Sequence, residues 1–167
     1  MEKWINKGLL IKPSKKIWWM SSHVGACCAE KINKSLIKLY ISGRAKDNKS
    51  RIGTAIVKWS ENPSIVKISK NPIIDIPKLN AGYFYTDGAL YPEVIKFRGR
   101  TFLYFCGWLN HKTFKYNCNI GLAFKKYGKF KLHSKAPLFN LDDIDPIGTG
   151  SMSILKKKNY ISNEDGC

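Results

Sequence analysis

The sequence predicts an all-β protein built from repeated four-stranded antiparallel units. Two observations support this fold class. First, short runs rich in β-branched and aromatic residues are bounded by Gly, Pro, Asn or Ser along most of the 167 residues. Second, the pattern of these runs recurs within the chain, which is typical of repeat architectures.

The first unit follows an N-terminal segment that is interrupted by Pro13 and several lysines. Residues 1–20 carry Trp4 and the aromatic run Trp18-Trp19, so we expect either an edge strand or a closing segment that packs aromatic rings against a later part of the fold. The strands predicted for the unit are His23–Ile32, Leu36–Ser42, Arg51–Trp59 and Ile65–Ser69.

The second unit repeats this arrangement after a loop. A turn is predicted at Arg98-Gly99-Arg100, where a glycine separates the first two strands of the unit. The predicted strands are Ala89–Phe97, Thr101–Cys106, Cys118–Phe124 and Phe130–His133.

The repeat is visible residue by residue. Leu39-Tyr40 recurs as Leu103-Tyr104, and Gly43 recurs as Gly107, both 64 residues later. Four strands per repeated unit predict the blades of a β-propeller. We expect a single domain over 1–167, with blade one at about 21–76, blade two at about 84–139 and the start of blade three at about 149–167.

About two and a half blades do not close a ring, since the smallest propellers have about four. We therefore expect an incomplete propeller, either truncated or self-associating through its open edges. The alternative fold is a β-sandwich of eight or more strands.

The composition and net charge limit the kinds of binding partner that we expect for this protein. The net charge is +17, but only four of the 29 basic residues are arginine, the residue suited to bidentate phosphate recognition. This favours a surface coated with lysine over a nucleic-acid site, with a polyanion-binding β-protein as the alternative. No apolar run spans a membrane, and residues 1–7 lack the apolar core of a signal peptide, so we expect a cytoplasmic location.

The five cysteines predict reduced thiols. They form neither a CxxC motif nor a Cys/His cluster with zinc spacing, so we expect no metal and no cofactor. Cys106 and Cys118 are predicted on neighbouring strands.

The blade interpretation predicts that the blades open onto one shared cavity. The first strand of each blade begins there, at His23 in blade one and Asp87-Gly88 in blade two, and the loop from Arg44 to Arg51 lies beside them. The polar and aromatic residues expected to converge are His23, Arg44, Asp47, Asn48, Arg51, Asp87, Glu93 and Trp108.

Several of these stretches resemble a known family. They are Ser22-His23, the loop Gly43-Arg44-Ala45-Lys46-Asp47-Asn48-Lys49-Ser50-Arg51, Thr86-Asp87-Gly88 and Cys106-Gly107-Trp108. Over about residues 20–155 the chain is similar to the N-terminal half of five-bladed β-propeller proteins related to family 43 and family 32 glycosidases and to their bacterial relatives.

The resemblance implies a carbohydrate partner and, if the chain is active, a glycoside hydrolase. Such chemistry needs two carboxylates across a sugar ring, for which Asp87 and Glu93 are the candidates. His23, Arg44, Asp47, Asn48, Arg51 and Trp108 are then candidates for binding the substrate. Ala45 stands where relatives carry an aspartate, and no carboxylate lies in Gly148–Met152, which favours a non-catalytic carbohydrate-binding protein as the alternative.

Overall fold

The computed structural model describes residues 3, 5–76, 83–110, 116–139, 143 and 148–154. The described part of the chain is almost entirely β-structure, with one short 3₁₀ helix at Trp18–Met20 and no α-helix. The predicted all-β class is confirmed. Within the same residues, no helix has the length and apolar character that a membrane crossing requires.

Eight strands form two successive four-stranded units, and each lies within a few residues of its prediction. The first unit contains β1 (His23–Lys31), β2 (Leu36–Arg44), β3 (Ser50–Lys58) and β4 (Ser64–Ile68). The second contains β5 (Gly88–Phe97), β6 (Arg100–Leu109), β7 (Asn117–Lys126) and β8 (Lys129–Leu132).

Each unit is an antiparallel meander, because every strand pairs with the next one along the chain. The units meet at one parallel bridge, where Ser50 of β3 faces Gly88 of β5. The predicted turn at Arg98-Gly99 joins β5 to β6, and both residues adopt positive φ values, 46° and 73°.

The strand register repeats between the two units. In the first, Ile41 faces Gly53, and in the second, Phe105 faces Gly121. The same correspondence holds two positions along each ladder, where Leu39 faces Ala55 and Leu103 faces Ala123. The repeat seen in the sequence is therefore a repeat of structure.

An aromatic ring covers the glycines of each unit. Trp19 is 0% exposed and lies over Gly43 and Gly53, whereas Phe84 lies over Gly107 and Gly121. A Cβ added at Gly43 would stand 2.7 Å from the Trp19 ring, so only glycine allows this approach. Trp19 precedes β1 as Phe84 precedes β5.

The N-terminal segment closes one face of the first unit and forms no strand over residues 5–20. Trp19, Met20, Ile41 and Ala55 form a buried cluster there, and the Trp19 indole donates a 2.9 Å hydrogen bond to the Ser69 carbonyl. The prediction of a closing segment with packed aromatic rings is confirmed for Trp19, whereas Trp18 is 44% exposed and Trp4 lies outside the described residues.

The larger core cluster lies between the two units. Its buried members are Ile52, Ile74, Phe84, Tyr85, Ala89, Leu103, Phe105 and Ala123. Because it joins Ile52 of β3 and Ile74 to residues of β5, β6 and β7, this cluster holds the two units together.

The cysteines in the described residues are unpaired, as predicted. Cys106 on β6 and Cys118 on β7 lie on neighbouring strands. Burial, together with the nearby Cys118, raises the pKa of Cys106 to about 12.

Candidate functional site

The two units bring several strand ends to one edge of the structure. β1 begins at His23 opposite Arg44, the last residue of β2, and Arg44 faces Ser50 at the start of β3. Ser50 faces Gly88 at the start of β5, and Gly88 faces Trp108 near the end of β6. We call this end, formed by residues 21–23, 44–51, 86–88 and 108–110, the mouth.

A cleft of about 230 Å³ opens at the mouth between β1, β2 and β5. Its polar walls come from His23, Arg44 and Ser50, and Leu90 and Tyr91 of β5 close the other side. Tyr91 is 49% exposed and has a positive φ of 47°, at an irregularity in the β5–β6 ladder between Leu90 and Glu93. The structure thus brings His23 and Arg44 together, as the sequence predicts.

Arg51 points into the protein and not into this cleft. Its side chain is 5% exposed, and its Nη1 and Nη2 bind the two oxygens of Asp47 at 3.0 and 2.6 Å. Its Nε donates to Asp75 at 2.8 Å, and its guanidinium stacks 4.9 Å from the centre of the Trp18 ring. Arg51 and Asp47 therefore brace the loop between β2 and β3.

The charges of this cluster stabilise one another. The hydrogen bonds from Arg51 hold the pKa of Asp47 below its usual value. Burial on its own lowers the pKa of Arg51, but Asp47 and Asp75 outweigh burial and raise it. Asn48 takes a positive φ of 60° at the tip of the same loop, which suits an asparagine in a turn.

Asp87 lies at the mouth with its side chain 24% exposed. Its Oδ2 accepts a 2.7 Å hydrogen bond from the backbone N–H of Asn110, and its Oδ1 lies 3.6 Å from Nζ of Lys49. Lys49 also donates to the carbonyl of Thr86 at 3.1 Å. This lysine links the loop of the first unit to the entrance of the second.

Trp108 packs against the second unit's entrance. Its indole nitrogen lies directly over Gly88, where any Cβ would overlap it, and this nitrogen is buried without a partner among the described residues. Its ring centre lies 5.9 Å from that of Tyr116, which is 62% exposed. The pair forms an aromatic patch at the mouth.

Glu93 lies away from the mouth. It follows Gly88 by five positions on β5, which at about 3.3 Å per residue is on the order of 15 Å along the strand. Its carboxylate neighbours the Cys28 thiol, and burial followed by this charge raises the pKa of Cys28. The structure does not place Glu93 beside Asp87.

Sequence reasoning missed four residues that shape the mouth: Lys49, Asp75, Tyr91 and Tyr116. Lys49 lies inside the loop that the sequence singles out, and its position between two candidate residues is a local signal. The others come from separate segments, and only the packing of β1 against β5 and of β3 against residue 74 brings them close.

The segment around Gly148-Thr149 lies beside the second unit, and its described residues 148–154 form no strand. The N–H of Thr149 donates to the carbonyl of Cys118 at the start of β7, and its hydroxyl accepts from the N–H of Ile120. The predicted segment 149–167 is described only as far as residue 154. Over the described ranges, no group of three or more His, Cys, Asp or Glu side chains forms a metal site.

The fold is shared with glycoside hydrolases. A glycosyl hydrolase from Bacteroides ovatus superposes with a TM-score of 0.56 at 15% identity, over 72% of this chain and 33% of that one. Another glycoside hydrolase gives a TM-score of 0.52 at 12% identity, over 87% and 46%. A complex of BT0996 and RGII gives 0.62 at 13% identity, over 80% and 45%.

Two curated relatives are similar in sequence, and both are uncharacterized proteins of Mycobacterium tuberculosis, Rv1502 and MT1551. Each is 30% identical over 144 residues, which are 86% of this chain and 48% of the relative. The chain thus spans about half the length of the curated relatives it matches. No protein-family model matches the sequence.

Proposed function

We propose that the protein binds a carbohydrate at the mouth of a glycosidase-type β-propeller. The observation that carries the proposal is the fold: two like units, shared with glycoside hydrolases, whose first strands line a cleft that also contains Arg44. In this proposal residues 21–76 and 84–139 are the first two blades of five, and 149–167 begin the third.

The binding residues are divided between two parts of the mouth. His23 and Arg44 line the cleft and offer hydrogen bonds to sugar hydroxyls or an acid group. Trp108 with Tyr116 offers an aromatic face of the kind that packs against a sugar ring. Asp47, Asn48 and Arg51 contribute to binding indirectly, because they hold the shape of the loop between β2 and β3.

Hydrolysis by this protein would involve Asp87. Glycosidases place two carboxyl groups about 5–10 Å apart across the scissile bond. Asp87 lies at the mouth, next to Gly88, which pairs with Ser50 of the cleft lining, and its contacts with Asn110 and Lys49 fix its orientation. Glu93 is the second carboxylate that the sequence predicts, but it lies farther down β5, near Cys28 and away from Asp87.

The test of hydrolysis is a panel of aryl glycosides assayed with purified protein. Asp87→Asn is expected to reduce any observed rate by about a hundredfold or more, as removal of a catalytic carboxylate does. Glu61→Gln, in the turn between β3 and β4, is the matched control and leaves the rate unchanged. An unchanged rate in Asp87→Asn would show that this residue has no catalytic role.

A non-catalytic carbohydrate-binding protein is the second candidate. The observation that favours it is that both mouth carboxylates, Asp47 and Asp87, already have a cationic partner, Arg51 or Lys49. A glycan array that shows binding, combined with no turnover of the bound glycans, would distinguish this candidate from the enzyme.

Three further expectations belong to the same proposal. They are a cytoplasmic location, self-association through open blade edges, and little affinity for nucleic acid. The last separates the proposal from a polyanion-binding protein, whose affinity for nucleic acid falls steeply with salt.

A further inference from the structure

Arg44 is the cleft's main charge, and it has no acidic partner in the described part of the chain. Among those residues its guanidinium makes one hydrogen bond, from Nε to the Ser50 hydroxyl at 3.5 Å, and no ion pair. The described residues that line the cleft include no carboxylate. The arginine therefore presents its terminal N–H donors to whatever occupies the cleft.

The carboxylates nearest to the cleft are paired with other cations. Both oxygens of Asp47 bind Arg51, on the opposite face of β3 from Ser50, and Asp87 is engaged by Lys49 and the Asn110 N–H. Neighbouring side chains in a strand point to opposite faces, so Arg44 and Arg51 lie on different sides of the sheet. Asp47 is thus held away from Arg44.

The remaining walls provide uncharged or weakly basic polar groups. His23 lies directly across the ladder from Arg44, and the buried Ser50 hydroxyl lies beside the guanidinium. The half-exposed Tyr91 closes the opposite side. A volume of about 230 Å³ is smaller than the typical ligand pocket of about 300–1,000 Å³, so the cleft suits one sugar unit and not a long chain segment.

We propose that the cleft recognises an acidic sugar, with the carboxylate of a uronic acid unit bound by Arg44. This inference rests on the proposed carbohydrate function and names its substrate class. An arginine binds a carboxylate through two parallel N–H···O bonds, which fix the orientation of the acid as well as its charge. His23 and Ser50 then contact ring hydroxyls.

The experiment uses oligogalacturonate and oligoglucuronate together with their carboxyl-reduced forms, in which each carboxylate becomes a hydroxymethyl group. Binding of the purified protein is measured by isothermal titration at low and high salt. Arg44→Gln removes the charge, and Arg100→Gln, an exposed arginine at the opposite end of the sheet, is the matched control.

We expect a uronate oligosaccharide to bind at least about tenfold more tightly than its reduced form, as a charge-assisted hydrogen bond allows. Arg44→Gln erases this difference and Arg100→Gln preserves it. High salt weakens the binding of the uronate only.

Equal binding of the acidic and reduced forms, or a preference that survives Arg44→Gln, would overturn the acidic-sugar inference and leave carbohydrate binding intact. Full competition by inorganic phosphate at the same concentration would also overturn it, since the cleft would then be a simple anion site. If no acidic or neutral glycan binds in titration or on the array, both this inference and the proposed function fail.

Discussion

The substitution Gly53→Ala tests how closely Trp19 packs against the first unit. A Cβ at this position would overlap the six-membered ring of Trp19, with Cε2 at 2.8 Å and two other ring atoms closer still. Such overpacking costs about 1–3 kcal/mol in a well-packed core. Gly25→Ala is the matched control, because no atom lies within 4 Å of its added Cβ.

The difference between the two variants isolates the overpacking. Both gain the same reduction in unfolded-chain entropy, so this contribution cancels. With a urea dependence of about 2 kcal/mol per M, a difference of about 2 kcal/mol moves the midpoint of urea unfolding down by about 1 M. Equal midpoints for Gly53→Ala and Gly25→Ala would refute the packing argument.

A second background makes the test specific for Trp19. In Trp19→Leu the overlapping ring atoms are absent, so adding Gly53→Ala is expected to cost almost nothing further. The coupling free energy between the two sites is then about 1–3 kcal/mol, within the range for residues in direct contact. Additive effects of the two substitutions would show that something other than the indole ring opposes the new methyl group.

Three other substitutions or reagents test the rest of the structure. Asp47→Asn is expected to lower the free energy of unfolding at pH 7 by only about 1 kcal/mol, because this carboxylate is partly exposed. Folding lowers the pKa of Asp47, so the difference in stability from the wild type persists above its ordinary pKa of 3.8 and disappears as the pH falls below that value. Urea unfolding at several pH values measures this difference. Tyr40→Phe removes the 2.7 Å hydrogen bond from the hydroxyl of the buried Tyr40 to Glu30, and urea unfolding is expected to show a loss of about 1–2 kcal/mol in the free energy of unfolding. An unchanged free energy of unfolding would show that this bond is not formed in solution. At pH 8 a thiol-specific disulfide reagent is expected to modify the exposed Cys27 in the folded protein, but Cys106 only after unfolding. The reason is that burial raises the pKa of Cys106 to about 12. Rapid modification of Cys106 in the folded protein would contradict its buried position.

The strands could be predicted from the sequence because their signals are local. Alternating apolar residues and the Gly, Pro, Asn and Ser residues between them are read within a few positions. The repeat is equally visible, since glycines at 43 and 107, and at 53 and 121, occupy the same register in both units. Its physical basis is the aromatic ring that each pair of glycines must accommodate.

The partners of individual side chains could not be predicted in this way. Arg51 and Arg44 bound the same loop and look alike in sequence, yet Arg51 is buried between Asp47 and Asp75 while Arg44 faces the cleft. Which face each arginine takes depends on the register of β2 against β3, a property of the folded sheet.

The chain's sequence by itself determined the all-β class, the strand positions, the two repeated units and the end of the sheet where polar residues gather. These depend on short-range patterns of side-chain size and polarity. The tertiary structure alone decided that His23 and Arg44 share a cleft with Tyr91, that Lys49 reaches Asp87, and that Glu93 lies farther down its strand. The reason is that these arrangements depend on how one unit packs against the other, through a core drawn from segments of both units that lie far apart in the sequence.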